Sequence, residues 1–208
     1  MTEIVLVRHG ETESNRLGVF RGRLDVPLND RGVRQAEGLA AALASERLAA
    51  VYSSPLRRAL DTARVVAAPH GLEPVLDEAF NNIDLGVWQG KEKTLIERDE
   101  PDRWRLWTTE PDRLVLPGGE SLASVRERSA QRTLELVALH EGDRFAVVTH
   151  RSVLKVLGGA LLGLREGYFW RFYLDNAGYS VFGHENGQFV LLKWNESCHV
   201  RERVFEHY

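Results

Sequence analysis

The chain has 208 residues, 43% hydrophobic and 27% charged, enough for one substantial buried core and short for two domains of ordinary size. A formal net charge of -3, with both signs mixed along the chain, gives no general attraction to nucleic acid or to an anionic membrane, so recognition of an anion has to be local. The single cysteine, Cys198, cannot close an internal disulfide, which fits a reducing compartment.

The first apolar run, Ile4 to Val7, is too short for a signal-peptide core or a membrane span, and predicts the opening strand of a soluble, cytoplasmic protein. It leads into Arg8-His9-Gly10-Glu11-Thr12, where Gly10 permits a sharp turn and Glu11 to Asn15 opens a helix. Residues Arg31 to Glu46 place Val33, Ala36, Leu39, Ala40 and Leu43 at helical spacing, with Asn29 or Asp30 as the N-cap. A second strand is expected at Ala49 to Tyr52, and then a helix from Leu56 to Ala68, closed by Pro69 and Gly71. The stretch from about 81 to 119 is irregular and holds Trp88, Trp104 and Trp107, a composition that suits a cap over the strand ends.

Beyond the cap, Ser121 to Leu139 predicts a long amphipathic helix, Phe145 to Thr149 a third strand, and Val153 to Leu162 a helix after His150. A hairpin of Tyr179 to Phe182 with Gly187 to Trp194, turning at Glu185 to Gly187, closes the pattern. Strands alternating with helices predict an α/β fold with three α/β/α layers and a mostly parallel central sheet, formed by residues 1–208 as a single domain.

The chemistry gathers at strand ends, where open α/β sheets place their ligands. The first and third strands both end in histidine, His9 and His150; Arg8 precedes His9, and Arg58 follows the second strand at the start of a helix, a place from which it can reach the same rim. A guanidinium fork matches the oxygens of a phosphate, so this combination reads as a phosphate pocket. No histidine or carboxylate cluster has metal-ligand spacing, and His70, His140, His184, His199 and His207 are scattered.

Six ordered segments carry a resemblance: LVRHGETESN (Leu6 to Asn15), GRLDVPLNDRG (Gly22 to Gly32), SSPLRRALDTA (Ser53 to Ala63), LGVWQG (Leu85 to Gly90), PGGES (Pro117 to Ser121) and VVTH (Val147 to His150). Together they resemble the histidine phosphatase superfamily, which includes the cofactor-dependent phosphoglycerate mutases. The resemblance implies a phosphoglycerate mutase-like fold and a phosphohistidine mechanism with no metal or cofactor. It also implies a small phosphate ester as substrate, and a possible homodimer. Carried onto this chain, His9 is the nucleophile, and Arg8, Asn15, Arg58 and His150 hold the phosphoryl group.

Three positions depart from that pattern. The family's acidic glutamate falls on Asn82, an amide that cannot protonate a leaving alkoxide; Asp84, the nearest carboxylate, is either a displaced acid or a turn cap. Arg21 stands where glutamine is frequent and Arg151 where glycine is, so both add positive charge near the expected pocket. The main expectation is hydrolysis of a small phosphomonoester such as a sugar phosphate, phosphoserine or α-ribazole phosphate. The alternatives are a phosphoglycerate mutase, disfavoured because only Lys91 to Pro117 follow the W-x-G motif, and a phosphate-binding member impaired in turnover.

Overall fold

The computed structural model describes residues 1–200. Among these residues six strands form one mixed sheet in the order β3-β2-β4-β1-β5-β6. The strands are β1 (Thr2–Arg8), β2 (Ala50–Ser53), β3 (Val75–Leu76), β4 (Arg144–Thr149), β5 (Tyr179–Glu185) and β6 (Gln188–Glu196). The first four run parallel, β5 runs antiparallel to β1, and β6 pairs antiparallel with β5 as the outer strand of a hairpin. Seven α-helices are described: α1 (Glu13–Arg16), α2 (Asp30–Leu43), α3 (Arg57–Ala67), α4 (Lys93–Asp99), α5 (Pro101–Thr109), α6 (Leu122–Leu139) and α7 (Arg151–Leu161).

The continuous apolar runs of β1 and β4 follow from burial on both faces. Alternate side chains feed separate cores: Val5, Val7, Val51, Ala146 and Val148 pack with Leu39, Leu43, Ala59, Ala63 and Val66 from α2 and α3. Ile4, Leu6, Tyr52, Phe145 and Val147 pack on the opposite face with Leu136, Val137, Leu154 and Leu157 from α6 and α7. Three layers result, as the alternation of elements predicts. Asn29, rather than Asp30, caps α2, accepting from Gly32 N at 2.8 Å.

A third cluster lies beyond the strand ends, where Phe20, Ile83, Leu85, Trp88, Ile96 and Trp107 pack against Leu122, Val125, Val153 and Val156. The middle of the chain is thus more regular than its composition suggests, because α4 and α5 occupy it. Pro101 fits the first position of α5, where no backbone donor is needed, and Trp104 and Trp107 fall on one face three residues apart.

Candidate active site

Arg8 of β1 pairs in register with Thr149 of β4, so the next residue of each strand, His9 and His150, emerges at the same sheet edge. Their ring centroids are 5.2 Å apart with an interplanar angle of 61°, and both side chains are buried. His9 Nδ1 lies 2.6 Å from the Gly10 carbonyl. A carbonyl only accepts, so Nδ1 carries the proton and Nε2 keeps its lone pair. His150 Nε2 hydrogen-bonds Ser54 Oγ at 2.8 Å, while its Nδ1 is buried without a protein partner.

Two guanidiniums complete this wall. Arg8 is 1% exposed and donates from Nη1 to the Leu174 carbonyl at 2.7 Å. Arg58 is 0% exposed and donates to the carbonyls of Leu24 at 2.7 Å and Gly22 at 2.9 Å, whereas Arg57 beside it is exposed. Burial and then the Arg21 charge push Arg58 down to about 9, which leaves it cationic at neutral pH. Burial, followed by the charges of Arg58, Arg8 and Arg21, holds His9 well below the usual histidine range. His150 is lowered in the same direction, by burial first and then by Arg58. Both imidazoles are therefore neutral at pH 7, the form that can attack or donate a hydrogen bond.

Glycines set the loop that carries His9. A Cβ on Gly10 would lie 2.4 Å from the Gly32 carbonyl oxygen, and one on Gly32 would lie 2.1 Å from that of Glu11, so two backbones touch where a side chain cannot fit. Glu11 is buried with its carboxylate turned to Asn29 Nδ2 at 2.9 Å and Arg31 at 3.4 Å. Asn15 is buried at the first helical turn, where its Oδ1 accepts from Thr12 N at 3.0 Å in a reciprocal cap.

The cleft over His9 and His150 is also lined by Phe20, Arg21, Asn82, Lys93 and Trp107, and by Arg151 at the start of α7. The three positions singled out as a rim, Arg21, Asn82 and Arg151, are thus brought together. Asn82 donates from Nδ2 to the Gly22 carbonyl at 2.8 Å, and its Oδ1 is buried without a partner. Asp84 does not join them. Its Oδ1 accepts from Gly86 N at 2.8 Å, capping the turn at 86–88, and it does not line the cleft. Of the two readings left open for Asp84, this geometry matches the turn cap, because the backbone bends at Gly86. Of the aromatic side chains nearby, Phe20 and Trp107 line the cleft, whereas Trp88 is packed wholly inside the third cluster.

Several contributors escape a reading of sequence. Ser54 partners His150, Lys93 lines the cleft, and Arg128 on α6 donates to the carbonyls of Ala79 at 2.6 Å and Asn81 at 2.8 Å while pairing with Glu120. Thr149 Oγ1 donates to the Phe80 carbonyl at 2.6 Å, fastening the Asn82 segment to the end of β4. Only Ser54 carried a signal, since it follows the second strand directly. His140 bonds Tyr52, His199 bonds the Ala177 carbonyl and His184 packs on Phe189, while His207 lies outside the described residues. Among the described residues, no three His, Cys, Asp or Glu side chains are grouped to hold a metal ion, and no helix is long and apolar enough to cross a membrane.

Paired strand-end imidazoles walled by buried guanidiniums, on a three-layer α/β scaffold, define a protein built to receive an anion against a neutral histidine. The chain belongs to the histidine phosphatase superfamily, branch 1, whose family model matches residues 4–197. It is 39% identical to phosphoserine phosphatase 1 of Hydrogenobacter thermophilus over 99% of this chain and 98% of that protein. It is 38% identical to the metal-independent phosphoserine phosphatase of Arabidopsis thaliana, over 96% of this chain and 84% of that one. Among solved structures, Bacillus stearothermophilus YhfR superposes with a TM-score of 0.92 at 29% identity, covering 97% of this chain and 100% of its own. A histidine-to-alanine variant of phosphoserine phosphatase from Entamoeba histolytica, in complex with phosphoserine, superposes with a TM-score of 0.87 at 31% identity, covering 96% and 100%.

Proposed function

We propose that this chain is a phosphomonoesterase that hydrolyses a small, acidic phosphate ester through a phosphohistidine on His9. The observation that carries this reading is the wall itself: a neutral His9 with Nε2 unprotonated, 5.2 Å from His150, between buried Arg8 and Arg58. Attack by Nε2 on phosphorus gives a phosphoramidate that water hydrolyses in a second step, so one difficult displacement becomes two. The phosphoryl group in flight spreads charge over three oxygens, and fixed donors from Arg8, Arg58 and His150 stabilise it without having to reorganise.

The leaving-group side of the cleft holds Arg21, Lys93 and Arg151, which suits a carboxylate on the alcohol. Phosphoserine is the leading substrate, given the relatives named for it and the complex that contains it. Phosphate release from phosphoserine and from an aryl phosphate, measured in EDTA, tests the activity. Rapid quench with labelled substrate should trap an acid-labile adduct on His9. Label on another residue, or turnover lost on adding EDTA, would overturn the reading.

A further inference from the structure

The cleft poses a proton problem. An alkyl phosphate needs a proton delivered to its departing oxygen, yet among the described residues lining this cleft there is no aspartate or glutamate. Asn82 lines the cleft with the two histidines, but its amide donates to the Gly22 carbonyl and its oxygen only accepts. His9 is engaged as the attacking group. His150 is neutral, and a neutral imidazole gives up a second proton far too reluctantly. The guanidiniums of Arg21 and Arg151 do not deprotonate in proteins, and the Trp107 indole and Ser152 hydroxyl are weaker acids still. One protonated side chain of the lining is left whose proton is transferable, the Lys93 ammonium.

The backbone fixes where Lys93 sits. Residues 90 to 93 run beside residues 18 to 20 as a short ribbon: Gly90 N donates to Phe20 O at 2.8 Å, Phe20 N to Lys91 O at 2.9 Å and Lys93 N to Gly18 O at 3.0 Å, with a bridge between Val19 and Glu92. This ribbon opens α4 and holds Nζ 5.9 Å above the Phe20 ring at the cleft wall. The charged and titratable groups lining the same cleft are Arg21, Arg151, His9 and His150, with Glu92 next to Lys93 on the ribbon.

We propose that Lys93 is the general acid and base of this enzyme, taking over the work a carboxyl at position 82 would do; the assignment rests on the phosphatase reading above. As the bond from His9 Nε2 to phosphorus forms, the ester P–O bond breaks and its electron pair stays on the leaving oxygen. That oxygen takes a proton from Lys93 Nζ and departs as the neutral alcohol. The neutral amine then removes a proton from the water that attacks the phosphohistidine. Inorganic phosphate leaves, His9 is restored and Lys93 is again an ammonium.

Lys93→Arg keeps the positive charge and removes the transferable proton, so it separates acid catalysis from electrostatics. The full-length enzyme is assayed with phosphoserine, an alkyl ester, and with p-nitrophenyl phosphate, whose phenolate leaves unaided. The variant should lose about 10²- to 10⁴-fold in kcat/KM for phosphoserine and less than about tenfold for the aryl ester, while aryl kcat falls and phosphohistidine accumulates. The alkaline limb of the phosphoserine pH profile should vanish with it, and Asn82→Glu in the same background should recover phosphoserine turnover. Equal losses on both esters would reduce Lys93 to a fixed charge and overturn the proposal, as would a selective alkyl loss in Asp84→Asn. If the wild type forms no adduct on His9 with the aryl ester, the phosphatase reading itself fails and takes this assignment with it.

Discussion

The two walls of the cleft are built by opposite means. On the strand-end wall His9, His150, Arg8 and Arg58 are buried; the neighbouring Gly10 carbonyl holds His9, and atoms from distant segments hold the other three, namely the carbonyls of Leu174, Leu24 and Gly22 and the hydroxyl of Ser54. On the other side Arg21 and Lys93 are half-buried, as is Arg151 beside His150, and an aromatic cluster packs nearby. A phosphoryl group is the same in every substrate, so donors fixed in advance lower its transition state each time. A leaving group varies, so its wall can change residue types while the scaffold stays. On the reading proposed above, the contrast separates handling of the phosphoryl group, at the strand ends, from handling of the leaving group, at the cap.

The sharpest way to break that division is to remove the nucleophile. His9→Ala should lower kcat/KM on every phosphate ester, aryl or alkyl, by on the order of 10⁴-fold or more, as deletion of a covalent nucleophile does elsewhere. Residual activity that still distinguished alkyl from aryl esters would place the nucleophile elsewhere. Next comes Arg58→Ala, where loss of one fixed donor should cost about 2.7 to 4 kcal/mol of transition-state stabilisation, equally for both ester types. Arg57→Ala should be near wild type, because Arg57 is exposed and Arg58 is buried one residue later. Equal losses in steady-state kinetics would show that the register assigned across α3 is wrong.

Backbone contacts sharpen the same comparison. Gly86 has φ +47°, and a Cβ there would lie 2.1 Å from the Pro117 carbonyl oxygen, so Gly86→Ala meets both a disfavoured conformation and a rigid neighbour. A loss of roughly 2 kcal/mol is expected, a fall in Tm of several degrees by calorimetry. Since the clash lies in the cap, KM for phosphoserine should rise while the rapid-quench yield of His9 adduct at saturating aryl ester holds. A fall in that yield would mean that the two walls are mechanically one.

How much of this was legible in the sequence follows the same boundary. The two strands ending in histidine, the helix registers and the closing hairpin could be read because local periodicity, caps and turn residues decide them. A cap at Asn29 or Asp30 belongs to that class, whereas Arg58 was singled out over Arg57 by the resemblance. The cap was legible only as a concentration of tryptophan. Nothing local says that Lys93 turns into the cleft, since a ribbon with residues 18 to 20 delivers it. Asp84 stayed open in the sequence between acid and turn cap for a related reason: residues two apart share a face only while the backbone stays extended, and it bends at Gly86.

The smallest expected effect is on pH dependence, and it tests the strand-end wall without altering its shape. Burial holds His9 and His150 well below 6.5, so both stay neutral in the folded enzyme at pH values where exposed histidines are charged. The acid limb of kcat/KM for an aryl ester, corrected for titration of the substrate's own phosphate, should therefore lie well below 6.5. Stability must move in the matching direction. When the chain unfolds, both imidazoles regain their ordinary affinity for protons, so below about pH 6.5 the unfolded state binds more protons than the folded state. Their contribution is fully present above the unfolded value and is lost as pH falls through and below it. His9→Gln removes one of the two groups. In urea titrations between about pH 6 and pH 5, its unfolding free energy should fall less steeply than the wild type's, by at most one proton, or about 1.4 kcal/mol per pH unit. Parallel slopes would mean that His9 is protonated in the folded chain over this range, and a protonated His9 has no lone pair with which to attack.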